Sequence, residues 1–186
     1  MMELFDSHCH VDEPRFDEDR DEVLVRMAAN GVTRYAVIGS DMATSRHGAD
    51  FASAHPGCYA AVGIHPHEAK GYREGDLDTL AAWLKEEKVC AIGEIGLDYY
   101  YDLSPRETQM EICALQMELA WRENVPVAYH VRDAHQDMLE LMKQHKHHLT
   151  GGIIHCTCNR EKQLILCHSF TDQFSPCFLF CKTKFL

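Results

Sequence analysis

Short apolar segments alternate with longer segments of helical periodicity along most of the chain. Strands are predicted at residues 3–9, 34–39, 58–63, 89–93, 125–129 and 152–154. Helices are predicted at residues 18–30, 44–55, 77–88, 104–123 and 134–144. Regular strand–helix alternation with short buried strands predicts a parallel sheet. The predicted fold class is therefore α/β, a (β/α) TIM-type barrel that is incomplete, with about six of eight strand–helix units.

Polar residues at the predicted helix starts and stops support these boundaries. The fourth helix is expected to begin with Ser104 as N-cap, Pro105 at the first helical position and Glu107 at the third. Gly31 is placed to end the first helix.

The pattern changes after residue 163. The last 23 residues are rich in Phe and Cys, carry few charges and contain the turn signal Ser175-Pro176. A complete barrel needs about 250 residues, whereas this chain has 186. We predict an incomplete barrel domain over residues 1–163 and a divergent, disordered tail over residues 164–186.

Histidines and one glutamate stand where the predicted strands end. His8 and His10 close the first strand, and their spacing of two places both side chains on one face. Glu94, His130 and His155 follow the fourth, fifth and sixth strands. Catalytic groups of such barrels collect at the C-terminal ends of the strands, so these five residues are candidate metal ligands. The alternatives are a salt bridge for Glu94 and hydrogen-bonded core histidines for His130 and His155.

Two further residues are candidates for substrate contact. His65 follows the third strand in GIHPH, and we weigh a phosphate contact there against a structural role. Arg132 lies two residues beyond His130, and its guanidinium suits a phosphate group. The alternative for Arg132 is a salt bridge with Asp133 or Glu94. Asp98 is interpreted as a loop residue, with substrate contact as the alternative.

Composition indicates a cellular location and limits the kinds of molecule that the protein is expected to bind. The net charge of −11 argues against a generic basic nucleic-acid binder, but not against a phosphodiesterase whose bound cations supply positive charge. Nine cysteines, no signal peptide and no apolar stretch of about 18 residues predict a reduced cytoplasmic or nuclear protein without membrane contact. No obligate protein partner is indicated. The cluster around Cys156 and Cys158 matches no standard zinc-ligand spacing.

Several motifs in order resemble the TatD family of metal-dependent deoxyribonucleases, within the amidohydrolase-type barrels. They are FDSHCHVD, GIHPH, AIGEIGLDYYY, TQMEICALQMELAWRENVPVAYHVRDA and GGIIHC, within residues 3–160. The resemblance implies a two-metal phosphodiesterase that trims the 3′ ends of DNA. It implies one ion on His8 and His10, a bridging and catalytic Glu94, and a second ion on His130 and His155. The two divalent ions would be Mg, Mn or Zn.

The chain also departs from the family pattern. The family carries a late aspartate in a Thr-Asp-x-Pro-like motif, and Asp172 comes too soon after His155 to be its equivalent. The segment HCTCNRE departs as well. We interpret the chain as a family member cut short and expect it to be weak or inactive. The alternatives are a metal-dependent hydrolase of small esters or amides and a non-catalytic fragment.

Overall fold

The computed structural model describes residues 3–155. In this part of the chain one sheet of six parallel strands follows the order of the sequence, so each strand pairs with the next. The strands are β1 (Leu4–Cys9), β2 (Val32–Ile38), β3 (Cys58–Val62), β4 (Val89–Asp98), β5 (Val127–Arg132) and β6 (Gly152–His155).

Every connection between consecutive strands contains a helix. The α-helices are α1 (Arg20–Ala29), α2 (Met42–Ala54), α3 (Asp76–Trp83), α4 (Arg106–Glu123) and α5 (His135–Gln144). Short 3₁₀ helices cover Pro14–Phe16, Pro66–Gly71 and Lys146–His148. Six parallel strands alternating with helices confirm the prediction of an incomplete (β/α) TIM-type barrel. No helix in the described part of the chain has the length and apolar character needed to cross a membrane.

Successive side chains along each strand point to opposite faces of the sheet. One face packs against the helices in a large core, and the other faces the barrel interior. In β5, Val127, Tyr129 and Val131 belong to the main hydrophobic core, together with helix residues such as Met117 and Met138. His130 lies between them in sequence and therefore faces the other side of the sheet. A smaller apolar cluster of Ala36, Ile38 and Ala61 occupies that inner side. The chemistry-bearing residues of the strands thus point into the barrel interior.

Two strands run further than predicted. β4 continues to Asp98 and β5 continues to Arg132, so Glu94 and His130 lie within their strands and not just after them. The expected end at the glycines around Glu94 was wrong because Ile95 and Leu97 are fully buried and continue the strand.

The β4 strand has an irregularity at Glu94 that changes which face its side chains occupy. Ile92, Ile95 and Leu97 all belong to the main core, and the pairing with β5 shifts between Gly93 and Ile95. Regular alternation from Ile92 would have placed Glu94 in that core beside the helices. The irregularity places Glu94 in the barrel interior.

The start of α4 also differs from the prediction. Pro105 is the N-cap residue and makes no side-chain cap. Ser104 was predicted to cap the helix, but its hydroxyl donates to the carbonyl of His67 at 2.8 Å and accepts from the backbone N–H of Lys70 at 3.1 Å. A tertiary contact with the segment after β3 has therefore replaced the local cap.

Candidate metal centre

Glu94 presents its two carboxylate oxygens to two different histidines. Oε1 lies 3.0 Å from Nδ1 of His130, and Oε2 lies 3.6 Å from Nε2 of His8. The side chain is buried. Burial by itself raises the pKa of Glu94, but the hydrogen bond from His130 and the nearby His8 outweigh it and hold the pKa well below its usual range. Glu94 is therefore an ionised, buried carboxylate at the centre of the site.

One possible ligand group consists of His8, Glu94 and His155, with ligand atoms within 4.8 Å of one another. The rings of His8 and His155 stack with centroids 3.8 Å apart. Burial lowers the pKa of His8 to about 3 and also lowers the pKa of His155, so both rings are neutral at pH 7. Neutral imidazole is the form that binds metal ions.

His8 supplies the test of whether a metal ion fits here. Both of its ring nitrogens are buried, and neither has a hydrogen-bond partner within residues 3–155. A buried polar atom without a partner costs about 1–3 kcal/mol. A divalent cation held by His8 and Glu94 would remove that cost for one of the two nitrogens, because it accepts the lone pair of that nitrogen and neutralises the carboxylate. The donor set of imidazoles and a carboxylate fits a divalent metal ion.

A second possible group consists of His65, Glu94 and His130, all buried. His130 is held between two carboxylates, since its Nε2 lies 2.8 Å from Oδ2 of Asp98. Burial lowers the pKa of His130, but the hydrogen bonds to Glu94 and Asp98 outweigh burial and raise it. With Nε2 directed at Asp98, Nδ1 is the nitrogen that can bind a metal ion beside Glu94.

His65 has a tautomer that favours hydrogen-bond donation over metal binding. Its Nδ1 accepts the backbone N–H of His67 at 3.1 Å. Burial lowers the pKa of His65 to about 3, so the ring is neutral and its proton lies on Nε2. That Nε2–H can donate to an oxygen atom in the site.

Asp98 is the functional candidate that the sequence analysis misplaced. It is fully buried, and its Oδ2 is shared by His130 at 2.8 Å and Nε2 of His67 at 2.9 Å. Gln109, on α4, accepts the backbone N–H of Asp98 at 2.8 Å. Burial raises the pKa of Asp98, but hydrogen bonds from Tyr101, His130 and His67 outweigh it and lower the pKa.

A signal for Asp98 was present in the sequence. Ile95 and Leu97 continue an apolar alternation that ends on this carboxylate, in the same way that other strands end on histidines.

The other two predicted site residues lie at the edge of the site. His10 is partly exposed, with Nδ1 3.7 Å from a carboxylate oxygen of Glu13 and its ring 5.2 Å from that of His8. Within the described residues it is in neither ligand group. Arg132 packs its guanidinium over Tyr100 and Tyr101, 4.0 and 4.6 Å from the ring centroids. Asp172 and the cysteine cluster after His155 lie outside the described residues.

The geometry brings three of the four predicted histidine ligands around Glu94, in an arrangement that differs from the implied partition. His155 stacks on His8, whereas its ring centroid is 6.3 Å from that of His130. His65 lies nearer, with its ring centroid 4.3 Å from that of His130. The assignment of individual ligands to two ions stays a prediction.

Comparison with known proteins identifies the family. Residues 5–175 match the family of TatD related DNases, a match that extends past the boundary predicted at residue 163. The chain is 40% identical over 157 residues to an uncharacterized metal-dependent hydrolase, YabD, of Bacillus subtilis, covering 82% of this chain and 60% of that protein. It is 33% identical over 160 residues to the 3′-5′ ssDNA/RNA exonuclease TatD of Cronobacter sakazakii, covering 86% and 61%.

A solved structure supports the same assignment. The TatD homologue YJJV of Escherichia coli superposes with a TM-score of 0.81 at 30% identity, over 92% of this chain and 66% of that one. The chain thus spans about 60% of the length of the curated relatives that it matches. A family match over most of the chain, joined to a barrel that gathers histidines around one buried glutamate, shows that the chain belongs to the TatD family of metal-dependent hydrolases.

Proposed function

We propose that this protein is a divalent-metal-dependent phosphodiesterase that hydrolyses DNA from its 3′ ends. The observation that carries the proposal is Glu94, whose two oxygens face His130 on one side and His8 on the other. A carboxylate with imidazoles on both sides is suited to bridge two ions. The relative named as a 3′-5′ ssDNA/RNA exonuclease supports a nucleic-acid substrate.

Glu94, His8, His10, His130 and His155 would hold the two ions, which are Mg, Mn or Zn. When bound, such ions supply an activated water and stabilise the charge that develops on the phosphate oxygens. The chain's own part is to place the ligands: Glu94 is ionised and buried, and His8 and His155 are neutral. With a net charge of −11, bound cations would also provide the local positive charge that a phosphate requires.

His65 and Arg132 would contact the substrate in this proposal. The Nε2–H of His65 is available to donate to a phosphate oxygen, because its Nδ1 already accepts from His67. Arg132 lies at the end of β5, next to the strand that carries Asp98, and supplies a permanent positive charge there. The expectation that this chain is weak or inactive stays a prediction.

The test combines metal content with cleavage. The purified chain is loaded with Mn²⁺, and degradation of a 5′-labelled single-stranded oligonucleotide is followed with and without EDTA. We expect 3′ shortening that EDTA abolishes, and we expect Glu94→Gln to lose both bound metal and cleavage. Glu118→Gln, an exposed change on α4, is the matched control. Metal content and cleavage of Glu94→Gln equal to those of the control would refute the bridging role.

A further inference from the structure

The chain immediately beyond Asp98 displays a cluster of aromatic side chains at the mouth of the candidate metal centre. Tyr100 and Tyr101 are 58% and 53% exposed, and their rings meet edge to face with centroids 4.8 Å apart. Leu103, also exposed, follows them. Large apolar side chains left this exposed in a group, beside a functional site, are typical of a binding surface.

These tyrosines are fixed to the metal centre by their backbone. The N–H groups of Tyr100 and Tyr101 donate to Oδ1 of Asp98 at 3.0 and 2.8 Å. The other oxygen of the same carboxylate holds His67 and His130. Asp98 therefore positions the two tyrosines and also orients His130, a candidate metal ligand.

Ring contacts connect the tyrosines directly to the site. The ring of Tyr101 lies 5.4 Å from that of His67, which lies 4.3 Å from that of His65. His65 in turn is 4.3 Å from His130. A molecule resting on Tyr101 would therefore lie beside the residues proposed to contact phosphate.

Arg132 adds a positive charge to this aromatic surface. Its guanidinium carbon lies 4.0 Å from the ring centroid of Tyr100 and 4.6 Å from that of Tyr101. Stacking on two rings holds a cation in place and leaves its charge permanent. In a chain with net charge −11, a cation fixed among aromatic rings favours an anionic ligand at this place.

We propose that Tyr100, Tyr101 and Arg132 form a stacking platform for the unpaired bases of a single nucleic-acid strand whose phosphates run toward the metal centre. Single-strand binding sites combine aromatic rings, on which bases stack, with cations that follow the backbone. Bases within a duplex are stacked on each other and cannot use such a platform. The proposal rests on the proposed function and names the residues that would select unpaired strands, bound with little dependence on sequence.

Binding measured without metal tests the platform independently of catalysis. The full chain is titrated in EDTA into a short fluorescein-labelled oligothymidine, and fluorescence anisotropy gives the affinity. We expect Tyr101→Ala and Tyr100→Ala each to weaken binding by about 5- to 150-fold. Tyr101→Phe, which keeps the ring, is expected to bind like the wild type. Arg132→Gln is expected to reduce the salt dependence of binding.

The matched control is Phe5→Ala. Phe5 is 51% exposed, but it lies near the start of β1, at the end of the sheet opposite the candidate metal centre. The platform is wrong if the tyrosine variants bind like the wild type, if Phe5→Ala loses as much affinity, or if the wild-type chain does not bind the strand. Mn²⁺ binding, measured on the same variants after removal of EDTA, separates the two proposals. Tyr101→Ala should bind Mn²⁺ like the wild type even though it binds DNA more weakly. If, after removal of EDTA, the wild-type chain fails to bind Mn²⁺ while its DNA binding still depends on Tyr101, the proposed function is refuted and the platform stands.

Discussion

Two buried carboxylates stand on either side of the His130 ring. Glu94 and Asp98 each accept a hydrogen bond from one nitrogen of that ring, at 3.0 and 2.8 Å. Burying a charge costs several kcal/mol unless it is paired, so His130 is stabilised in its protonated form as the counter-ion of both. A metal ion beside Glu94 would replace the Nδ1 proton, while Asp98 would keep the ring oriented through Nε2.

Asp98→Asn tests this orienting role. The amide has one acceptor oxygen and an NH₂ group that cannot accept from His130 and His67, so the ring loses its fixed orientation. Loss of a hydrogen-bond partner that orients a metal-binding histidine typically lowers metal affinity by about 10- to 100-fold. Isothermal titration with Mn²⁺ should show a loss of that size. Asp102→Asn, the same change at an exposed residue paired with Arg106, should leave the affinity unchanged; equal affinities in both variants would remove Asp98 from the site.

At this scale the sequence predicted residue types better than their contacts. Glu94, His8, His130 and His155 were chosen as candidates because each follows an apolar run, and the fold brings them together. The stacking of His8 on His155 could not be predicted, because it depends on how far the sheet curves between β1 and β6. Asp98 was misplaced because glycines normally interrupt strands, and here Gly93 and Gly96 are part of one.

The β4 strand is the element on which the site depends most. It carries Glu94 and Asp98, and it pairs with β5 so that Gly96 lies opposite His130. Gly96 has φ +142°, and a Cβ atom there would lie 2.0 Å from the carbonyl oxygen of His130. Only glycine permits this approach of the two strands. Gly96 therefore helps to set the position of His130.

Gly96→Ala should therefore destabilise the fold and the site together. The backbone conformation alone costs about 1–3 kcal/mol with a side chain present, and the collision with His130 requires β4 and β5 to separate further. Urea unfolding should show a lower free energy of unfolding, and Mn²⁺ affinity should fall as well. Gly71→Ala is the control, since a Cβ at Gly71 meets nothing within 4 Å. If the two variants prove equally stable, the close approach at Gly96 is not required.

The elements themselves were largely predictable, and their ends were not. Within residues 3–155, the six strands and five α-helices lie where the apolar periodicity placed them. The errors arise where tertiary contacts override local signals. Ser104 bonds to the segment after β3 and does not cap α4, and β4 continues because its far half is buried between neighbouring strands.

Across the described part of the chain, the first and last strands meet through their histidines. His8 lies on β1 and His155 on β6, at the two edges of the sheet, yet their rings stack at 3.8 Å. The sheet is therefore strongly curved, and the site joins its two edges. Anything that binds both rings and Glu94 would hold these edges together, so occupancy of the site and stability of the whole fold are coupled.

Metal binding should consequently raise the melting temperature of the chain. A ligand that binds the folded state stabilises it by about 2.7 kcal/mol at a concentration 100 times its dissociation constant, which corresponds to about 5–10 °C for a chain of this size. Mn²⁺ is the ion of choice, because it prefers oxygen ligands to thiolates, and nine cysteines could otherwise bind metal in the unfolded state. His8→Gln should abolish the shift, whereas His147→Gln, at an exposed histidine, should keep it. A shift of equal size in both variants would show that the stabilising ion binds elsewhere than between β1 and β6.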